Sequence, residues 1–422
     1  MSTTEREIDF NIPRTTDFEG ETHGPEADGF TATEQIAPSG IELEDVKTEE
    51  MLVNMGPQHP ATHGVLRVVL RTDGELVLEA VPHLGYLHRC AEKIGESIPY
   101  YKYIPYTDRM DYVAGMNENW AFCIAVERLA EIEIPRRAEF IRVIIGELQR
   151  IASHLVSFGT YGLDMGAFTP FLSAFREREY ILDLFEMVCG ARLTYSYYTI
   201  GGLTQDVPDG WLDKLAEFLN YFEPKIDEYD ALLSHNRIFT IRTANVGVLS
   251  KEQAIAWGCT GPVIRGSGIP YDLRRDKPFS VYPELDFNVC VGTGIYGTVG
   301  DCWDRYWVRM QEMRESIKII RQCQKMIPDP SDDSATGGRH RVKVPKNFKP
   351  DAGEVYVEMD NPRGVLGFFI ESQGQTQPYR VKARSGAFCN LSVLPELCRN
   401  VMLADVPAII GSIDIVMGQV DR

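Results

Sequence analysis

The sequence lacks the continuous run of ~20 apolar residues that a membrane-spanning helix requires. The nearest candidate, residues 140–158, is interrupted by Arg142, Glu147, Arg150 and His154. We therefore expect that the chain itself does not cross a bilayer.

Positive charge is also scarce. The 43 lysines and arginines are outnumbered by 61 aspartates and glutamates, which gives a formal net charge of -18. Binding to nucleic acid requires a basic face that neutralises phosphates, so this balance argues against a nucleic-acid partner. It still allows docking against basic partner subunits.

Closely paired cysteines are absent as well. Nine cysteines occur, and no two of them are separated by only two residues. Because zinc and iron–sulfur clusters are usually held by such close pairs, we expect neither to be bound by this chain. The odd number of cysteines and the lack of a secretory signal predict reduced thiols in a cytoplasmic compartment.

The hydrophobic patterns that are present predict an α+β fold with a central bundle of long helices. Apolar residues three and four apart predict helices at 117–132, 174–189, 209–234, 251–257 and 301–326, a long one from about 135 to 158, and a short one at 395–402. Two apolar runs flank Asp73-Gly74, which signals a β-hairpin over 65–80. Alternating residues predict antiparallel strands at 353–359, 364–371 and 379–383.

These elements divide the chain into five segments. In order, they are an acidic flexible arm (1–45), an N-terminal β region (46–84), the helical bundle (85–327), a polar surface loop (328–350) and a C-terminal β/α region with a buried C terminus (351–422).

Two histidines, His59 and His63, lie four residues apart in a segment that Pro57 and Pro60 keep from being helical. A rigid loop with two imidazoles can serve as a metal, proton-transfer or ligand site, because histidine exchanges protons near neutral pH. The simpler interpretation of this segment alone is that both rings hydrogen-bond to backbone.

Three further features have a structural and a functional interpretation. Tyr112 follows a tyrosine-rich stretch and, taken alone, is a core residue whose phenol could also donate to a ligand. Asp164 lies among apolar neighbours, so burial would require a histidine or arginine partner. Residues 292–297 fit the glycine pattern of a dinucleotide site but lack a surrounding strand–helix–strand unit, which favours a glycine-rich turn.

Five motifs, taken in order, closely resemble one family: the D (49-kDa-type) subunit of respiratory complex I, NADH-quinone oxidoreductase. The resemblance covers about 51–422. The motifs are Gly-Pro-Gln-His-Pro-Ala-Thr-His-Gly (56–64), Pro-His-Leu-Gly-Tyr-Leu-His-Arg (82–89), Arg-Met-Asp-Tyr (109–112), Leu-Asp-Met-Gly-Ala-Phe-Thr-Pro-Phe (163–171) and the final Ser-Ile-Asp-Ile-Val-Met-Gly-Gln-Val-Asp-Arg (412–422).

That family is similar to the large subunit of nickel–iron hydrogenases, so the resemblance implies a hydrogenase-like helical bundle. In hydrogenases two Cys-x-x-Cys pairs hold the metal centre. Here residues 109–114 and 416–419 stand in their places, and all four thiols are missing. Without thiolate ligands a nickel–iron site cannot form, which argues against the alternative of a membrane-bound hydrogenase.

The resemblance implies that the former metal cavity receives a quinone head group. Tyr112 and His63 are then expected to hydrogen-bond the two quinone oxygens, with Asp164 paired to His63. His59 is expected to support the loop, and Arg89 to lie beside the 4Fe-4S cluster of a neighbouring small subunit. Where the family often has a histidine near that cluster this chain has Thr194, which suggests a low-potential quinone such as menaquinone.

The same resemblance implies a proton-pumping complex in which the partners are the small cluster-bearing B subunit, the C and I subunits and the membrane-embedded H subunit. The chain would lie peripherally on the cytoplasmic side of the bacterial inner membrane.

A third interpretation is a purely structural scaffold. It predicts that conservative changes at His63 and Tyr112 leave activity unaltered.

Overall fold

The computed structural model describes residues 50–59, 63–332, 337–345 and 347–422, and the predicted flexible arm (1–45) lies outside them. The α+β prediction is confirmed, because long helices combine with antiparallel sheets. The strands are β1 Glu50–Met55, β2 Arg67–Asp73, β3 Leu76–His83, β4 Tyr198–Thr199, β5 Gly202–Leu203, β6 Gly353–Asn361, β7 Gly364–Ser372, β8 Arg380–Arg384 and β9 Val401–Met402.

The helices share the chain between and after these strands. They are α1 Ala91–Gly95, α2 Tyr100–Thr107, α3 Gly115–Leu129, α4 Arg136–Asp164, α5 Phe168–Cys189, α6 Trp211–Tyr229, α7 Arg237–Thr243, α8 Lys251–Ala256, α9 Pro262–Gly266, α10 Leu273–Asp276, α11 Cys302–Met326, α12 Gly386–Leu391, α13 Leu394–Leu397, α14 Val406–Ile413 and α15 Met417–Asp421. A π-helical turn, Asp230–Ser234, extends α6, and 3-10 turns lie at Tyr282–Glu284 and Leu403–Asp405.

The predicted hairpin around Asp73-Gly74 is confirmed. Strands β2 and β3 pair antiparallel, with Asp73 opposite Leu76, and β1 lies on the other side of β2. Alternate side chains of β2 are buried, which follows from the two-residue period of a strand with one face on the core.

The predicted helix at 395–402 is wrong in its second half. Only Leu394–Leu397 is helical, and Val401–Met402 forms β9 at the edge of the N-terminal sheet beside β3. Asn400 adopts a positive φ of 58° and donates its N–H to the carbonyl of Val77 at 2.8 Å. Pairing with a distant strand therefore overrides the local helical pattern.

Helix α4 is the longest helix among the described residues, and its predicted start is confirmed, since it begins directly after Pro135. It continues beyond the predicted end at 158 to Asp164. Gly159 and Gly162 let the start of α5 pack closely on this last part of α4, because a Cβ at either position would lie 3.1 Å from Phe171 and Pro170 respectively. The helix thereby carries Asp164 to the edge of the bundle.

The charges that interrupt the apolar pattern of 140–158 are paired inside the bundle. His154 on α4 lies 2.9 Å from Glu312 on α11, which also binds Arg265 at 2.8 Å. Arg150 lies 3.2 Å from Asp360 of β6. Burial would raise the pKa of Glu312, but Arg265 and His154 hold it well below its usual range. The bundle core is therefore ionic as well as apolar.

A three-stranded antiparallel sheet consists of β6, β7 and β8. Later in the chain, α14 and α15 lie against the bundle again. Residues 406–421 are almost entirely buried. Asp414 links the two helices with a positive φ of 49°, which turns the chain sharply.

Across the part of the chain that the structure describes, no helix is both long enough and apolar enough to cross a membrane.

Candidate functional site

The side chains of His63 and Asp164 form a close pair, with Nε2 and Oδ2 2.6 Å apart. The histidine side chain is 11% exposed and the carboxylate 7%, so the pair is largely shielded from solvent. A carboxylate this deeply placed requires a partner of opposite charge or a donor, and His63 supplies it across 101 residues of sequence.

Glycines let the C-terminal segment approach this pair. A Cβ on Gly411 of α14 would lie 2.5 Å from the ring of Tyr161 and 3.0 Å from Oδ2 of Asp164. Gly64, next to His63, has a φ of +122° and packs against Met417 of α15. The histidine loop, the end of α4 and the last two helices thus form one wall.

Tyr112 lies in the link between α2 and α3 and is 41% exposed, which leaves its ring accessible to a ligand. Burial raises the pKa of the phenol, an effect that Asp111 reinforces and that Arg363 and Arg89 oppose. The phenol therefore keeps its proton at neutral pH and can donate it. The simpler expectation of a core tyrosine is wrong, because its neighbour Asp111 takes the buried position instead.

The Asp111 carboxylate fixes the turn that bears Tyr112. It accepts the backbone N–H groups of Val113 and Ala114 at 3.2 and 3.1 Å. It also lies 3.0 Å from a guanidinium nitrogen of Arg363, which reaches it from the turn between β6 and β7.

Two buried charges of this region, Arg363 and Asp414, were missed by the sequence reasoning. Asp414 lies 3.5 Å from Arg363 and 3.8 Å from Arg309. Burial would raise the pKa of Asp414, but Arg363, Arg309 and more weakly His154 and His63 together lower it. The only local signals were an Asn-Pro-Arg-Gly turn between two strands and a lone acid in an apolar C-terminal run.

Arg89 lies beside the same turn. Its guanidinium donates to the carbonyl of Arg109 at 2.6 Å, and its backbone N–H donates to the carbonyl of Arg422 at 3.1 Å. A Cβ on Gly418 would lie 2.6 Å from the carbonyl oxygen of Met110, so α15 packs directly on residues 109–110. Residues 109–110 and the C-terminal helix α15 therefore lie against each other.

A second contact of the C-terminal segment holds the loop that precedes Arg89. The carboxylate of Asp421 accepts the backbone N–H groups of Gly85 and Leu87 at 2.9 and 2.8 Å. The Asp421 carbonyl lies 2.7 Å from Nδ1 of His88. We call this set of contacts the Asp421 clasp. It gives His88 a structural partner, and the sequence reasoning did not foresee it.

The remaining candidates lie apart from these contacts. His59 is exposed, directly before a gap in the described residues, so its supporting role stays a prediction. Thr194 is exposed with a φ of 56°, and its hydroxyl donates to the carbonyl of Leu193. Two residues later, Ser196 donates its N–H and its hydroxyl to the buried Asp108 at 3.2 and 3.0 Å.

The glycine-rich segment 292–297 is a turn, as predicted. The N–H groups of Thr293 and Gly294 donate to the carboxylate of Asp304 at 3.3 and 3.2 Å. The amides that would cradle a phosphate in a dinucleotide site are thus used by the chain's own acid.

Comparison with known proteins decides the family. Residues 164–422 match the family model for the respiratory-chain NADH dehydrogenase, 49 Kd subunit. The chain belongs to this family. Relatives of the 49 Kd subunit family include the NADH-quinone oxidoreductase D subunit of Chlorobium luteolum, 55% identical over 379 residues, covering 90% of this chain and 95% of that protein.

Two further relatives agree. The D subunit of Chlorobaculum tepidum is 55% identical over 380 residues, and that of Prosthecochloris aestuarii 53% over 379, each covering 90% of this chain and 94% of the relative. The family resemblance based on the five motifs is therefore confirmed, and none of these matches is to a hydrogenase. Among the described residues of this 49 Kd family member, no group of three or more histidines, cysteines or acids is placed to hold a metal ion.

Proposed function

We propose that this chain is the quinone-site subunit of a proton-pumping NADH-quinone oxidoreductase. The observation that carries the proposal is the His63–Asp164 pair at 2.6 Å, set in a wall of C-terminal residues that also packs against the turn bearing the accessible Tyr112. The names of the relatives and the family model support the same complex.

The chemistry required is the delivery of two protons to a quinone that receives two electrons. The Tyr112 phenol donates to one quinone oxygen and the His63 imidazolium donates to the other, so that a quinol is released. The Asp164 carboxylate, 2.6 Å from Nε2, orients the imidazole for this transfer. Both donors then regain a proton from solvent or from partner subunits.

The electrons are supplied by the 4Fe-4S cluster of the small B subunit, beside which we place Arg89. The C, I and H subunits complete the surroundings of this chain, which we place peripherally on the cytoplasmic side of the bacterial inner membrane. The chain's net charge of -18 supports docking against basic partner surfaces.

The test is the substitution Tyr112→Phe in the intact complex, because it removes only the hydroxyl. We expect normal assembly and severely reduced inhibitor-sensitive quinone reduction with NADH as donor. Tyr106→Phe is a matched control, since Tyr106 has the same 41% exposure and lies six residues earlier. Normal turnover of assembled Tyr112→Phe enzyme would refute the role and favour the scaffold alternative.

We further propose that the quinone is of low potential, such as menaquinone. The exposed Thr194 has no titratable group, so we expect the potential of the neighbouring cluster to depend little on pH. Redox titration of the cluster at several pH values tests this, with Thr194→His as the matched variant. A shift near one proton per electron in the unmodified complex would contradict the proposal.

A further inference from the structure

Arg363 joins three parts of the chain at one buried guanidinium. The residue is 2% exposed and lies in the turn between β6 and β7. Nη1 donates to Oδ2 of Asp111 at 3.0 Å and to Oγ of Ser153 at 2.9 Å, while Nη2 lies 3.5 Å from Oδ1 of Asp414. The link before α3, the middle of α4 and the link between α14 and α15 therefore meet there.

The backbone of Arg363 is itself held on both sides. Its carbonyl accepts from the side-chain amide of Asn390 at 3.0 Å, and its N–H donates to Oδ1 of Asn361 at 3.3 Å. A Cβ on Gly386 would lie 2.9 Å from the same carbonyl oxygen, so only glycine allows this approach. The guanidinium is therefore a fixed point to which the Tyr112 turn is attached.

Asp111 transmits this attachment. It directly precedes Tyr112, and its carboxylate binds both Arg363 and the N–H groups of the next two residues after the tyrosine. Movement of the Asp111 carboxylate would therefore rotate the short turn from which the phenol projects. A displacement of about 1 Å is enough to impair a reaction that depends on a positioned donor.

We propose that Arg363 is a positioning residue for the Tyr112 phenol, which it holds toward the quinone by anchoring Asp111. This role rests on the proposed function, since it requires that Tyr112 donates to the quinone. The positive charge of Arg363 also opposes the rise in the pKa of Tyr112 that burial causes, which supports the same assignment.

The test is a double-mutant cycle in the intact complex with Arg363→Lys, Tyr112→Phe and the combined variant. Lysine keeps the charge but loses the planar fork that binds Asp111 and Asp414 together. We expect Arg363→Lys to lower kcat for quinone reduction about tenfold. The combined variant should be no slower than Tyr112→Phe alone, because Arg363 acts through the phenol.

Two results would overturn this role: unchanged kcat in assembled Arg363→Lys enzyme, or losses that multiply in the combined variant. If Arg363→Lys keeps its kcat while Tyr112→Phe is inactive, only the positioning role is refuted. Normal turnover of Tyr112→Phe would instead refute the proposed function. Arg142→Lys is the control for altering a buried arginine, because Arg142 also has a carboxylate partner, Glu127 at 2.7 Å. Arg142 lies roughly 16 Å along α4 from Ser153, away from the Tyr112 turn. We expect this control to leave turnover per assembled complex unchanged.

If Arg363→Lys does not assemble, Ser153→Ala serves in the same cycle, because it removes one acceptor of the guanidinium with little change of volume. We expect about a threefold loss of kcat. That loss should vanish in the Tyr112→Phe background. A loss that persists there, or its absence in the single variant, would overturn the proposal.

Discussion

Gly411 lies so close to Tyr161 and Asp164 that adding a single methyl group should disturb the His63–Asp164 pair. In Gly411→Ala the new Cβ would lie 2.5 Å from the Tyr161 ring and 3.0 Å from Oδ2 of Asp164. Carbon atoms in contact are normally about 3.5 Å or more apart, so the ring must retreat by roughly 1 Å and the carboxylate by less. Residues 161 and 164 share one face of α4, so both are pushed in the same direction.

This displacement has two expected consequences. Overpacking in a well-packed region costs about 1–3 kcal/mol of stability. Because Nε2 of His63 and Oδ2 of Asp164 are 2.6 Å apart, a carboxylate retreat of less than about 1 Å would lengthen and weaken this hydrogen bond without breaking it. Complete loss of a charge-assisted hydrogen bond costs about 1.5–3 kcal/mol, so we expect this partial loss to lower kcat by up to about tenfold.

The assay is quinone reduction per assembled complex, together with the temperature at which activity is lost. Gly353→Ala is the control, since a Cβ there meets only the Leu129 side chain, at 3.8 Å. We expect the control to keep full kcat. Unchanged kcat in Gly411→Ala, or an equal decrease in the control, would refute the link between this packing contact and the His63–Asp164 pair.

Two further predictions concern buried carboxylates. Burial raises the pKa of Asp108 from 3.8 to about 6, against the opposing hydrogen bonds from Ser196. Asp108 therefore contributes about 3 kcal/mol to the free energy of unfolding below pH 3.8, and this contribution is lost as the pH rises through about 6. Asp108→Asn should therefore reduce the difference in thermal stability between pH 5 and pH 8, and an unchanged difference would contradict this reasoning. Glu127→Gln should destabilise the fold by about 3–5 kcal/mol, because it leaves the Arg142 guanidinium buried without its charge partner. Thermal unfolding at a lower temperature with full activity of the surviving enzyme is the expected signature, and unfolding at the unmodified temperature would exclude it.

Much of the fold was predictable because its long helices and hairpins follow local periodicity. The start of α4 at Pro135 and the hairpin at Asp73-Gly74 need only neighbouring residues to specify them. The prediction failed at Val401–Met402, where pairing with β3 across more than 300 residues decides the conformation. Local patterns cannot report such pairing.

The residues of the candidate site also differ in whether neighbouring residues in the sequence reveal them. Short motifs drew attention to His63, Tyr112 and Asp164, although only family resemblance attached roles to them. Arg363 and Asp414 were missed because their significance comes from a guanidinium and two acids that meet from distant parts of the chain. An isolated arginine in a strand turn carries no such information in its sequence neighbours.

The Asp421 clasp has a consequence for the order of folding. The hydrogen bond from the Gly85 N–H to Asp421 joins residues 336 positions apart, so the loop before Arg89 cannot be fixed until these intervening residues have been synthesised. At about 5–20 residues per second this interval is roughly 20 to 70 seconds. During that time the histidine loop, the tyrosine turn and Arg89 lack the wall that α14 and α15 later provide. This wall is therefore completed only after α14 and α15 have been synthesised.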